Sequence, residues 1–170
     1  MKLMIRRAIK NDAVSLADVL TSSWKSAYKD IIPAIELEQQ TNFVQRKQMF
    51  EKMLEHPIGE FYIATDNAIP CGQFMFCKSR DSDLSEYAEI VSIYVIENYW
   101  HKGVGTAMMK TALLRIADLG YKNTFLWVFK DNKRARRFYE KFGFVLDGIE
   151  KESEFSNRAI EVRYILKNSL

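Results

Sequence analysis

"AEIVSIYVIENYWHKGVGTAMM", residues 88–109, sets an apolar strand against a helix across one short turn. The run EYAEIVSIYVI (86–96) is rich in β-branched and aromatic residues, as a long strand requires. ENYWHKG then turns the chain. GVGTAMMKTALLRIADLG (103–120) follows as a helix whose Val104, Gly105, Met108, Met109, Ala112, Leu113 and Ile116 form one broad apolar face. Lys110, Thr111, Arg115 and Asp118 lie on its polar side. TFLWVF (124–129) is apolar throughout, the pattern of a strand covered on both faces. Residues 88–128 therefore read as a strand–helix–strand crossover, with two glycines one residue apart at the start of its helix.

The flanking segments extend this pattern. LMIRRAI (3–9) is a first strand, and NDAVSLADVLTSSWKSAY (11–28) a helix entered through Asn11 and Asp12, with Val14, Ala17, Val19, Leu20 and Trp24 at helical spacing. KDIIP (29–33) ends it, and a second amphipathic helix is expected over 34–55. EFYIATD (60–66) and PCGQFMFCKSR (70–80) form a hairpin about DNAIP. DNKRARRFYEKFGF (131–144) is a short helix with Ala135, Phe138 and Phe142 inward and Gly143 as its stop, before strands near 144–149 and 159–166. The order β-α-α-β-β-β-α-β-α-β-β predicts a mixed α/β (α+β) domain spanning 1–170 about one sheet, and not a doubly wound fold.

Composition limits the function classes. Of the residues 48% are hydrophobic and 28% charged, which is ordinary for a soluble globular protein. The 25 basic residues nearly balance 22 acidic ones without a clustered patch, which argues against a nucleic-acid partner. No run approaches the ~18 apolar residues of a membrane span, and no signal-peptide core follows MKLMIRRAIKNDAV, so a cytoplasmic protein is expected. Cys71 and Cys77, an even number of positions apart, should face the same way along one strand. At ~3.3 Å per residue they would lie roughly 20 Å apart, too far for a disulfide. They read as buried thiols of a reducing compartment. His56 and His101 have no zinc-ligand spacing, and no metal is expected.

The glycine pair poses a choice between phosphates. A triphosphate loop needs GxxxxGK[ST], whose spacing and lysine are both missing here. A dinucleotide loop needs a third glycine where Met108 stands, and it should follow its strand directly. Coenzyme A needs closely approaching amides at a helix N-terminus, which Lys102, Gly103, Val104 and Gly105 supply. The competing reading is a helix start made glycine-rich only for tight packing.

The chain resembles the GNAT superfamily of N-acetyltransferases over essentially its whole length, most strongly over 86–144. Residues 88–109 look like the family's central strand, turn and pyrophosphate loop, with signature Q/R-x-x-G-x-G/A. DNKRARRFYEKFGF resembles its second signature, N-x-x-A-x-x-F-Y-x-x-x-G-F, at nearly every position. TSSWKSAYKDIIP (21–33) is similar to the substrate-side helix and turn of many bacterial members. One position departs, because the Q/R of the first signature falls on Trp100. The resemblance implies a largely antiparallel central sheet flanked by helices, whose strand 88–96 parts from the next so that the pantetheine arm pairs between them. It also implies acetyl-CoA as co-substrate, held around Ile93, Tyr94, Val95, His101, Lys102, Gly103, Val104, Gly105, Thr106, Asn132 and Tyr139.

Acetyl transfer to an amine requires a base for the ammonium, polarisation of the thioester carbonyl, and a proton for the leaving thiolate. Glu89 stands where part of the family carries a glutamate base, and partial burial would raise its pKa; the alternative is a strand-edge glutamate paired with a cation. Glu86 is the fallback, and a water relay is open. Tyr139 is the candidate proton donor, or else a core tyrosine beside Phe138. Asn132, two helical turns before Tyr139, contacts the pantetheine in the family, and is equally an N-cap. The backbone amides of Ile93 to Val95 are the expected carbonyl donors. Trp24, Tyr28 and Tyr87 are candidate acceptor-pocket aromatics, and Arg134, Arg136 and Arg137 form a solvated basic face from which one side chain could reach a phosphate. Neither cysteine belongs to a Cys–His constellation, so direct attack is expected. The expected function is acetyl-CoA-dependent N-acetylation of a small-molecule primary amine such as a polyamine, amino acid or aminoglycoside. Acetylation of a protein N-terminus or lysine, a non-catalytic coenzyme A-binding sensor, and a homodimer all stay open.

Overall fold

A computed structural model describes residues 2–167. The elements are β1 (Leu3–Arg7), α1 (Ala13–Ala27), α2 (Ala34–Gln40), α3 (Phe43–Glu55), β2 (Gly59–Asp66), β3 (Ile69–Lys78), β4 (Ala88–Val95), α4 (Val104–Asp118), β5 (Thr124–Phe129), α5 (Lys133–Glu140), β6 (Val145–Glu152) and β7 (Ile160–Leu166). The strands form one sheet in the order β1-β2-β3-β4-β5-β7-β6. Every neighbouring pair is antiparallel except β4 and β5, which are parallel because α4 crosses over between them.

The expected order holds except that the helix over 34–55 is two helices. Thr41 turns its hydroxyl back onto the Leu37 carbonyl at 2.8 Å, and Asn42 leaves helical geometry to accept the Gln45 amide at 3.0 Å as an N-cap. Both side chains compete with the helix backbone, and together they restart the chain in a new direction.

Helices cover both faces of the sheet. On one, Val104, Met108, Met109, Ala112 and Ile116 of α4 pack with Phe74, Phe76, Ile90, Leu126 and Tyr164. On the other, Leu16, Ala17, Leu20 and Trp24 of α1 pack with Phe50, Phe61, Ile63 and Met75. Two bulges set which side chains reach which core. The β2–β3 register skips Cys71 between Gly72 and Pro70, and the β3–β4 register skips Val91 between Ser92 and Ile90. Each extra residue inverts the alternation of its strand. Cys71 therefore joins the α4 core and Cys77 the α1 core, on opposite faces, which corrects the expectation that they face the same way. Both are free thiols.

Strands β4 and β5 pair only at Ala88 with Thr124 and Glu89 with Phe125. Beyond these two positions they separate, as the family resemblance implied. The loop leading into β4 is pinned from behind by Arg163 on β7. Its buried guanidinium donates to Asp147 at 2.6 Å, to Asp81 at 3.0 Å and to Asp83 at 2.9 and 2.7 Å, while the Trp127 indole N–H also donates to Asp81. The hydrogen bonds from Arg163 hold the Asp83 carboxyl below its ordinary pKa. A carboxylate depressed in the folded state adds stability above its unfolded pKa and loses it as pH falls through the lower folded value. The urea midpoint should therefore drop as pH is lowered from about 5 to about 3. Asp83→Asn should flatten that drop, and an unchanged slope in the variant would remove Asp83 from it.

Candidate active site

Where β4 and β5 part, a cleft of about 1350 Å³ opens through the sheet, lined by Glu89 at its crotch, the edge of β4, the 99–106 loop and α5. The edge of β4 presents backbone groups to it. The Ile96 amide donates to the Cys71 carbonyl at 3.0 Å, and Tyr94 lies opposite Gln73 across β3. By alternation the amides of Ile93 and Val95 point away from β3 and into the cleft, whereas that of Tyr94 points into the sheet. Of the three expected donors, Ile93 and Val95 are available and Tyr94 contributes its ring.

The loop at the other end is built for close approach. His101 and Gly103 both have positive φ, 61° and 84°. The first bonded amide of α4 is that of Ala107, which donates to the Gly103 carbonyl at 2.9 Å. The amides of Val104, Gly105 and Thr106 are left without helical partners, which makes an anion cradle. The Val104 side chain is buried in the core, so only its amide serves the loop. Tight packing does not account for the glycines. A Cβ on Gly103 would meet nothing within 4 Å, and one on Gly105 would only touch Phe138 and Val95 at 3.6–3.7 Å. Trp100 donates its indole N–H to the Val95 carbonyl at 2.7 Å, and the guanidinium of Arg134 lies 3.2 Å from the centre of its ring. Arg134 is thus the arginine of the α5 basic face that reaches the loop.

Glu89 is 2% exposed and is held from two directions. Arg80 donates to it through Nε at 2.9 Å and Nη2 at 2.6 Å, with the Arg80 backbone amide at 3.3 Å. The cation-paired alternative is therefore present, and it stands at the crotch of the cleft. Tyr139 lies buried on the α5 wall. Desolvation raises its pKa well above that of a free phenol, and its hydroxyl makes no hydrogen bond among the described residues. Asn132 caps α5 by accepting the Ala135 amide at 3.1 Å, which leaves its amide nitrogen for the cleft it lines.

On the α1 side, Trp24 packs edge-on against Tyr28, Tyr94 and Phe155, and Tyr28 against Phe129. Trp24 and Tyr28 line the cleft as expected; Tyr87 does not, and packs edge-on against Phe125 instead. Arg46, Arg80, Phe155 and Glu161 also line it and escaped the sequence reading. Burial pushes both cysteine thiols up to about 11, so they stay protonated at neutral pH. Among the described residues no group of three or more His, Cys, Asp or Glu could hold a metal ion, and no helix is long and apolar enough to cross a membrane.

Comparison with known proteins agrees with this geometry. The family model described as the acetyltransferase (GNAT) family matches residues 20–144. An uncharacterised N-acetyltransferase of Mycobacterium bovis is 29% identical over 140 residues, 81% of this chain and 85% of its own length. The spermine/spermidine N(1)-acetyltransferase of Bacillus subtilis is 32% identical over 71 residues, 41% of this chain and 45% of its own. The crystal structure of PaiA N-acetyltransferase from Thermoplasma acidophilum in complex with coenzyme A superposes with a TM-score of 0.74 at 18% identity, covering 96% of this chain and 98% of that one. A family match over most of the chain, joined to a sheet that splits beside an amide cradle, makes this protein a member of the acetyltransferase (GNAT) family and an N-acetyltransferase.

Proposed function

We propose that the protein moves an acetyl group from acetyl-CoA to the primary amine of a small molecule, by direct attack of the amine on the thioester. The observation that carries this reading is the single cleft that joins an amide cradle, an exposed strand edge, Glu89 and Tyr139. The cradle amides of Val104, Gly105 and Thr106 suit a pyrophosphate, with the Arg134 cation beside them. The Asn132 amide nitrogen and the Ile93 and Val95 amides suit the pantetheine arm and the thioester carbonyl. The aromatic wall of Trp24, Tyr28, Tyr94, Phe129 and Phe155 encloses the acceptor end, which favours a small amine over an extended peptide. The small amines named for the Bacillus relative agree with that class.

In the transfer the amine nitrogen forms its bond to the carbonyl carbon as the carbon–sulfur bond breaks. Glu89 takes the proton lost by the amine, on a lone pair not used by Arg80. Tyr139, kept protonated by burial, donates a hydrogen bond to the departing thiolate. Its raised pKa makes full proton transfer more uphill than between a free phenol and a free thiol, pKa ~10 and ~8.5. Stabilisation by the hydrogen bond is therefore the larger part of its role. The cysteines, protonated and outside any Cys–His pair, have no part.

Release of free thiol from acetyl-CoA across a panel of amines tests the reading; no release with any amine would overturn it. Gly105→Glu should fill the cradle, abolishing coenzyme A binding in calorimetry while the melting temperature stays close to wild type. Glu89→Gln should lower kcat by about 10²-fold or more at neutral pH, with recovery as pH approaches the pKa of the amine itself. A uniform loss at every pH would instead mean that the Glu89–Arg80 pair only holds the sheet. Tyr139→Phe should reduce kcat more than it changes the KM for acetyl-CoA, and an unchanged kcat removes Tyr139 from the chemistry.

A further inference from the structure

We propose that Arg46 is the anion-binding residue of the acceptor pocket, and that the acceptor is an amine bearing a carboxylate, an amino acid or a close analogue, and not a polycation. The inference rests on the acetyl-transfer reading for the identity of the pocket. Arg46 lines the cleft from α3, half-buried, with its guanidinium 5.5 Å from the centre of the Trp24 ring. Its partners are all neutral. Nε donates to the Gln40 carbonyl at 2.6 Å, Nη2 to the Gln40 side-chain oxygen, and Nη1 to the Met49 sulfur at 3.4 Å. Three of five N–H donors are used, leaving one on each Nη, the fork that a carboxylate accepts in bidentate fashion.

The cations nearest Glu89, Glu161 and Asp81 each hold one of those acids. Arg80 holds Glu89, Lys151 reaches Glu161 at 3.6 Å, and Arg163 holds Asp81. Arg46 has no ion pair among the described residues, although desolvation already works against its charge. A cation taken partly out of water without a counter-ion is costly, and its clamp on both oxygens of Gln40 fixes its aim in advance. A second observation points the same way. The Trp24 indole N–H and the Ser23 hydroxyl, in the same wall, are buried with no hydrogen-bond partner. The indole N–H can only donate, and the side chain it faces is the neutral Tyr94 hydroxyl, not a carboxylate. A polyamine would meet the opposite arrangement. Glu89, Glu161 and Asp81 are already paired, and the remaining lining acid, Glu154, is exposed.

The test compares amino acids with their carboxamides and with spermidine, by thiol release from acetyl-CoA and by calorimetric binding in the presence of coenzyme A. Wild type should prefer the free carboxylate. Arg46→Gln should lose roughly tenfold to a hundredfold in kcat/KM for carboxylate acceptors, the range of a charge-assisted hydrogen-bonded pair. Carboxamides and the KM for acetyl-CoA should change little, and Arg46→Lys should restore part of the loss. Equal use of acid and carboxamide by wild type, preference for spermidine, or an equal loss on both acceptors in Arg46→Gln would overturn the inference. Thiol release indifferent to the carboxylate would sink this pocket and leave the transfer reading intact. Amino-acid binding that depends on Arg46 without thiol release would support the pocket and sink the transfer reading.

Discussion

The parallel pairing of β4 with β5 ends after two register positions, and the site depends on that ending. A parallel pair in mid-sheet normally satisfies both edges along its length, because unpaired buried amides and carbonyls are costly. Here each strand is secured from its other side. β4 runs along β3 from Ala88 to Val95, and β5 runs along β7 from Thr124 to Phe129 without a break. The two half-sheets can therefore diverge without either losing its own ladder. The Val91 bulge lies just past the last shared position and bends β4 away at the point where the strands part.

The same bulge decides which side chains face the α1 side of the cleft. Before it, Ala88 and Ile90 face the α4 core; after it, Ile93 and Val95 do. Glu89 on one side of the bulge and Tyr94 on the other consequently share the face toward α1 and α3, although they are an odd number of residues apart. Arg80 then closes the crotch by clamping both oxygens of Glu89. The loop carrying Arg80 is itself held by Asp81 and Asp83 on Arg163. Buried charge is thus concentrated at the narrow end of the cleft, which stiffens the point from which the strands separate.

What was legible in the sequence follows from what is local. The apolar run 124–129 is β5 to the residue, and the Asn132-to-Phe144 motif sets α5 with its cap. The break at Thr41 and Asn42 was written in side-chain chemistry too, but an apolar pattern continuing through both sides concealed it. Bulges were not legible, because an extra residue is defined only against a partner strand; the faces of Cys71 and Cys77 were misread for that reason. The partner of Glu89 escaped because Arg80 sits in a polar connection, KSRDSDLS, with the composition of an ordinary solvated loop. Arg46 escaped similarly: its aim is fixed by Gln40 on the preceding helix, across a break that the sequence pattern had not placed.

Trp100 shows how a motif position can change its residue and still tie the loop to the strand. Indole cannot supply the charge of arginine or the amide of glutamine, yet it ties the loop to β4 through the Val95 carbonyl and offers its face to a guanidinium. Arginine stacks on tryptophan readily, since its weakly hydrated plane loses little on desolvation. A positive charge beside Trp100 thereby comes from Arg134, two residues after Asn132 in the first turn of α5. One helix then carries Asn132, Arg134 and Tyr139, so its docking sets the spacing of all three along the cleft. The loop contributes geometry, amides and Lys102, and α5 adds the Arg134 charge. Because the Val95 carbonyl is already taken by Trp100, the strand edge at that position is left with a donor alone, the polarity that a thioester oxygen or a pantetheine carbonyl requires.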